Sequence, residues 1–184
     1  TIRTLDIGND KHSEKIDKMV GPSPNPGLGL RAIRLTLAFP QIFKKQISAI
    51  LRASVYGPIR IMLPMVSHVY ELETATKIIR EVHKELIDKK VKLKRKLPPI
   101  GVLIETPAAA LISDILAIHC DFFAIGTNDL VMYTLAIDRG DENVANIYEP
   151  SHLSVLKLIK MSKESADKNN IPISVCGEMA GDTN

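Results

Sequence analysis

Between residues 121 and 140 the chain carries Thr127, Asn128, Asp129, Asp138 and Arg139. A hydroxyl, an amide, carboxylates and a guanidinium so close together suit a metal ion and a phosphate better than an apolar core. They follow Phe122-Phe123-Ala124-Ile125-Gly126, a run of strand formers with no polar alternation, which reads as a buried strand. That strand is expected to deliver Thr127, Asn128 and Asp129 into a loop. A plainer reading makes Thr127 or Asn128 the N-cap of a helix. Glu105 ends a second buried run, Ile100 to Ile104. Neighbouring strands lie about 4.8 Å apart, so Glu105 and Asp129 at adjacent strand ends can share one hard cation. Two oxygen ligands with open positions suit Mg²⁺ completed by water and a phosphorylated molecule. In the alternative, one carboxylate caps a helix and the other pairs with a lysine.

Arg3, Arg31 and Arg139 are the candidate anion clamp, because a guanidinium grips phosphate or carboxylate with two parallel hydrogen bonds. Arg3, set in a strand beside Ile2 and Leu5, is expected to be the least surface-like of the three. Arg34, Arg52 and Arg60 read as solvated or structural. Cys176 stands where another strand ends, and on position alone a small core residue is the commoner meaning; Cys120 fits that meaning well. The five histidines share no metal-ligand spacing.

The elements that must position these groups alternate strand and helix. Strands are expected at 1–8, 59–64, 100–104, 122–125 and 171–175. Helices are expected at about 28–37, 41–55, 69–88, 107–119 and 153–167, the last with Leu156, Ile159 and Ala166 on its buried face. Thr106 and Pro107 supply a cap and a first-turn proline. The stretch from Asn9 to Gly29, rich in Lys, Ser, Pro and Gly, reads as a long surface loop. Residues 89–96 hold six cations; a solvated helix end explains them better than a nucleic-acid patch, since no aromatic is interleaved.

Strand–helix alternation without hairpin signals means parallel strands with crossover helices. No Gly-x-Gly-x-x-Gly follows the first strand, which disfavours a dinucleotide fold. Polar residues appear after every strand, and in a (β/α)₈ barrel all those positions share one face. Five strands are too few to close a barrel, so the fold class expected is α/β, a partial (β/α)₈ barrel. At 184 residues, 45% hydrophobic, 24% charged and +3 in net charge, the chain is expected to form a single domain (1–184) incomplete at both ends, a piece of a longer protein. Two distant cysteines and the lack of a membrane-length apolar run suggest a cytoplasmic setting without membrane or nucleic-acid partners.

The longest motifs are Asp-Phe-Phe-Ala-Ile-Gly-Thr-Asn-Asp-Leu at 121–130 and Tyr-Thr-Leu-Ala-Ile-Asp-Arg-Gly at 133–140. With Ile-Arg-Thr-Leu-Asp-Ile-Gly at 2–8, Gly-Val-Leu-Ile-Glu-Thr-Pro-Ala-Ala at 101–109 and Cys-Gly-Glu-Met-Ala-Gly-Asp at 176–182, they make the chain resemble a known family. It is similar to the phosphoenolpyruvate-binding C-terminal barrel domain of enzyme I of the bacterial sugar phosphotransferase system, with the five strands corresponding to strands three to seven. The resemblance implies that Glu105 and Asp129 hold Mg²⁺. It also implies that Arg3, Arg31, Asn128 and Arg139 bind phosphoenolpyruvate, and that Cys176 is the acid protonating the enolate of pyruvate. It further implies a homodimeric parent protein that phosphorylates its own histidine and passes the group to a histidine-containing phosphocarrier protein. That histidine domain, an upstream strand with another substrate arginine and the eighth strand are absent from this chain, which alone is expected to be inactive. Dikinase and synthase barrels share much of the motif set, and a non-catalytic sensor of phosphoenolpyruvate is the alternative. Asn9 and Met132 depart from the family's usual glycine and glutamine.

Overall fold

The computed structural model describes residues 1–7, 18–138 and 140–181. The chain divides into two compact units, Thr1–Met65 with Tyr70–Ile100, and Val66–Val69 with Gly101–Asn184.

In the first unit β1 (Ile2–Arg3) pairs in parallel with β2 (Ile61–Leu63), Ile2 opposite Ile61 and Arg3 opposite Met62. Both strands are shorter than the sequence suggests. Thr4 N–H still donates to Met62 O, but Leu5 N–H is taken by the Gln46 side chain at 3.0 Å, so the chain leaves the sheet there. Two helices follow, α1 (Ala32–Ala38) and α2 (Pro40–Ala53). Pro40, which has no N–H to continue a helix, opens α2 as its first residue, and Phe39 forms the joint. Phe43, Ile47, Ile50 and Leu51 form the buried stripe of α2. The helix expected from residue 28 starts later, because Pro26–Leu28 is a separate 3-10 turn and Arg31 sits extended at the cap position of α1. The third helix, α3 (Val69–Asp88), matches its expected span and buries Leu72, Ala75, Ile78, Ile79 and Val82. The cations at 89–96 are exposed, and the backbone beneath them is pinned: Lys94 N–H donates to Ser54 Oγ, and His83 Nε2 lies 3.3 Å from Lys94 O.

In the second unit β3 (Ile100–Ile104), β4 (Phe122–Gly126) and β5 (Ile173–Cys176) pair in parallel and in chain order. Every residue of β3 is buried, as its unbroken apolar sequence requires. The helix expected over 107–119 is two, α4 (Pro107–Leu111) and α5 (Ser113–Ile118), interrupted at Ile112. After the break the Ser113 hydroxyl meets Ser165 Oγ at 2.9 Å in a buried pair. Residues 127–129 lie not in a loop but in the first turn of α6 (Thr127–Leu135). The last helix, α7 (Leu153–Lys168), buries Val155, Leu158, Ser162, Ser165 and Ala166, while Leu156, expected on that face, is exposed. The stripe is rotated because two serines are buried at low cost: Ser162 donates to Leu158 O, and Ser165 to Met161 O.

Parallel strands in chain order with helical crossovers are the repeat of a partial (β/α)₈ barrel, without the order reversal of a doubly wound sheet. No helix among the described residues is long and apolar enough to cross a membrane.

One contact governs the β3–β4 pairing. A Cβ on Gly101 would lie 2.5 Å from three carbons of the buried Phe122 ring, so glycine alone admits that ring. Gly101→Ala is expected to destabilise the protein by about 1–3 kcal/mol, with part of the loss recovered by adding Phe122→Leu. Urea midpoints of the two variants test this, and an unshifted Gly101→Ala midpoint would refute the packing argument.

Candidate functional site

In the first unit the polar centre is Asp6. Its carboxylate spans two guanidinium groups, with Oδ1 2.9 Å from Arg31 Nη2 and Oδ2 3.1 Å from Arg3 Nη1. The Arg31 and Asp6 side chains are both 3% exposed, and that of Arg3 is 42% exposed. The expectation for Arg3 is therefore corrected: Arg31 is the buried arginine, and Arg3 turns outward where the chain leaves the sheet. Arg34 is held by local carbonyls, those of Leu28 and Gly29.

In the second unit the polar residues stand in a row across the strand ends. Ile104 is level with Ile125, which puts Glu105 beside Gly126, and Gly126 pairs with Cys176. Glu105 is buried, and its Oε2 packs so close to Gly126 that a Cβ there would come within 2.8 Å. A carboxylate at that depth needs charge or hydrogen-bond compensation. Asp129, half-buried, lies in the first turn of α6, where the helix dipole favours an anion. Two hard oxygen donors on adjoining elements, with space kept by a glycine, fit Mg²⁺ with positions left open. Among the described residues no group of three or more His, Cys, Asp and Glu side chains could hold an ion, so the fit rests on these two carboxylates.

Neither Thr127 nor Asn128 caps the helix, since Gly126 occupies that position and makes no side-chain bond. Their side chains cross to the end of β5 instead. Thr127 Oγ1 donates to Cys176 O at 3.1 Å, and Asn128 Oδ1 accepts from Glu178 N–H at 3.0 Å. The second bond orients the amide, presenting Nδ2 as a donor away from Glu178. Gly177, at φ 102°, makes the turn between them, and a Cβ there would collide with Thr127 Oγ1. The Cys176 thiol is half-buried and donates to Ile125 O at 3.2 Å. Thr106 plays the expected cap role, accepting from Ala109 N–H and donating to Val66 O.

Asp6 is the residue to which the sequence alone assigns no specific role, and the Arg-x-x-Asp spacing of Arg3 and Asp6 is the available signal for it. Thr127, weighed as a phosphate or metal contact or a helix cap, instead bonds the carbonyl of Cys176. Arg139 and Asn9 lie outside the described residues.

The parallel α/β fold thus gathers a buried carboxylate, an oriented amide and a thiol at the ends of its strands, as in the class of α/β domains that work at the carboxyl ends of their strands. Over residues 1–184 the chain matches the family described as PEP-utilising enzyme, PEP-binding domain, and it belongs to that family. Among curated proteins it is 42% identical over 182 residues to the phosphoenolpyruvate-protein phosphotransferase of Cupriavidus necator, covering 99% of this chain and 31% of that protein. To the proteins of the same name from Staphylococcus epidermidis and Listeria monocytogenes it is 44% identical, over 98% of this chain and 31% of each relative. The chain thus spans about a third of the relatives' length. Among solved structures a citrate lyase from Burkholderia xenovorans superposes with a TM-score of 0.56 at 20% identity, over 72% of this chain and 40% of that one, a likeness of fold alone.

Burial pushes the Cys120 thiol up to about 12 from an ordinary 9.0, partly opposed by backbone hydrogen bonding at Phe122 and Val102. Between these values the unfolded chain releases the proton and the folded one keeps it. The thiol's stabilising contribution is therefore complete below pH 9 and is lost as pH climbs toward 12. The unfolding free energy is expected to fall more steeply above pH 9 in the native protein than in Cys120→Ala, by up to about 1.4 kcal/mol per pH unit. Parallel slopes in the two proteins between about pH 9 and 10.5 would rule this out.

Proposed function

We propose that this chain is the phosphoenolpyruvate- and Mg²⁺-binding part of a phosphoenolpyruvate-protein phosphotransferase. In the whole protein, the phosphoryl group of phosphoenolpyruvate passes to an enzyme histidine outside this chain and then to a histidine-containing phosphocarrier protein, with release of pyruvate. The observation that carries the reading is the row Glu105, Gly126, Cys176 with Asn128 and Asp129 on the next turn. Two carboxylates, an amide and a thiol close together along that row support the reading, in a chain whose relatives carry that name. A single 1–184 domain, a homodimeric parent and a cytoplasmic, sugar-transport setting accompany the proposal.

Glu105 and Asp129 would hold the Mg²⁺, which when bound offsets charge on the moving phosphoryl group. Arg3, Arg31 and Arg139 bind the phosphoryl and carboxylate groups through guanidinium forks, and Asn128 Nδ2 donates to a substrate oxygen. Breaking the O–P bond leaves the enolate of pyruvate. Cys176 turns its S–H from Ile125 O to the enolate carbon; a C–H bond forms, the S–H bond breaks, and a thiolate remains to be reprotonated by solvent.

Two outcomes are expected in the intact protein. Asp129→Ala should abolish Mg²⁺-dependent turnover, and full activity at limiting Mg²⁺ would remove Asp129 from the metal site. Cys176→Ala should bind phosphoenolpyruvate with near-native affinity by calorimetry while pyruvate release falls by roughly two orders of magnitude or more. If that variant instead loses affinity and keeps its turnover at saturation, the acid lies elsewhere. Native protein that binds phosphoenolpyruvate and never releases pyruvate would mark a sensor in place of an enzyme.

A further inference from the structure

We propose that Asp6 is a positioning residue that holds Arg3 and Arg31 together as one anion clamp, fixing the direction in which Arg3 presents its free edge. The inference rests on the reading of Arg3 and Arg31 as binders of phosphoenolpyruvate.

The geometry is that of a bridge. The carboxylate reaches both guanidiniums, with Oδ1 closest to Arg31 and Oδ2 closest to Arg3. One carboxylate thus gives the buried Arg31 a counter-charge and at the same time meets Arg3. Arg31, with its side chain 3% exposed, is the fixed member. Arg3 is the outward one: among the described residues its only ion pair is with Asp6, made through Nη1 alone. The remaining donors of its fork lie on the other edge, in a side chain that is 42% exposed. Without Asp6 that long side chain would sample many rotamers, and a bound anion would have to bear the cost of ordering it.

Asp6 is itself anchored on both sides. Leu5 N–H donates to Gln46 Oε1 at 3.0 Å, and Ala32 N–H donates to Ile7 O at 3.3 Å. The second bond ties the residue after Asp6 to the residue after Arg31. Ala32 takes a left-handed φ of 49°, a conformation that a non-glycine residue adopts at a cost, and it does so at the point that aims Arg31 toward Asp6. Backbone and side chains therefore converge on the same carboxylate.

The test is a double-mutant cycle in the intact protein with Asp6→Asn, Arg3→Gln and the pair together. Asparagine keeps the shape but removes the charge and turns one acceptor into a donor facing a guanidinium. The Kd for phosphoenolpyruvate by calorimetry, and KM in turnover, should rise about tenfold or more in Asp6→Asn, with kcat changed far less. In the Arg3→Gln background, adding Asp6→Asn should raise Kd by a smaller factor than it does alone, because the part of its effect that passes through Arg3 is already lost. Asp6→Glu, which restores the charge on a longer stem, should recover part of the affinity, and it carries the cycle if Asp6→Asn does not fold. Equal, additive losses in both backgrounds, or no recovery with Asp6→Glu, would reduce Asp6 to a structural residue. Native protein that binds no phosphoenolpyruvate, with or without Mg²⁺, would overturn the underlying reading. Native binding that falls in Arg3→Gln and persists unchanged in Asp6→Asn would overturn this inference alone.

Discussion

The bare α-carbon of Gly126 is the constraint on which the second unit depends. The parallel register sets it beside Glu105 on one flank and pairs it with Cys176 on the other, and it is the residue from which α6 starts. Because nothing projects from it, the Glu105 carboxylate can lie against the backbone at the head of α6. A parallel ladder fixes such neighbours through evenly spaced hydrogen bonds, so the placement follows from backbone pairing before any side chain contributes. The crossover helices then only have to keep the strands in register.

Sequence alone was most informative where punctuation and apolar runs coincide. Pro98-Pro99 before β3 and Thr106-Pro107 after it bound a run of five apolar or small residues, and the strand appears at those positions. The span of α3 is equally plain from its long periodic stripe. The buried face of α7 was misread because hydroxyls can be buried when they bond back into their own helix, a compensation that a hydrophobic pattern does not register. The loop expected at 127–129 failed for a related reason. Thr and Asn are strong cap residues, but their side chains were already committed to β5, a partner about 50 residues away.

The arginines show the same limit. Arg3 looked internal because it sits between apolar residues in a strand pattern, yet β1 ends after two residues and the side chain turns outward. Arg31, grouped with it in the candidate anion clamp but placed on a surface-type helix, is the buried one. What decides between them is Asp6, which follows Arg3 by three positions and precedes Arg31 by 25. Ion pairs across such separations are set by tertiary packing, so local context could nominate the residues but not rank their burial.

The corner joining α6 to the end of β5 limits how this sequence can vary. Thr127 bonds the carbonyl of Cys176, Asn128 bonds the amide of Glu178, and Gly177 leaves room for both hydroxyl and amide. Each residue sets the space and the bonding partners available to the others, so the effect of a change at one depends on what stands at the rest. Epistasis is therefore written into the corner. A lineage that altered one of these positions would have to travel through paired changes, and Thr127, Asn128, Gly177 and Glu178 would be inherited as a block.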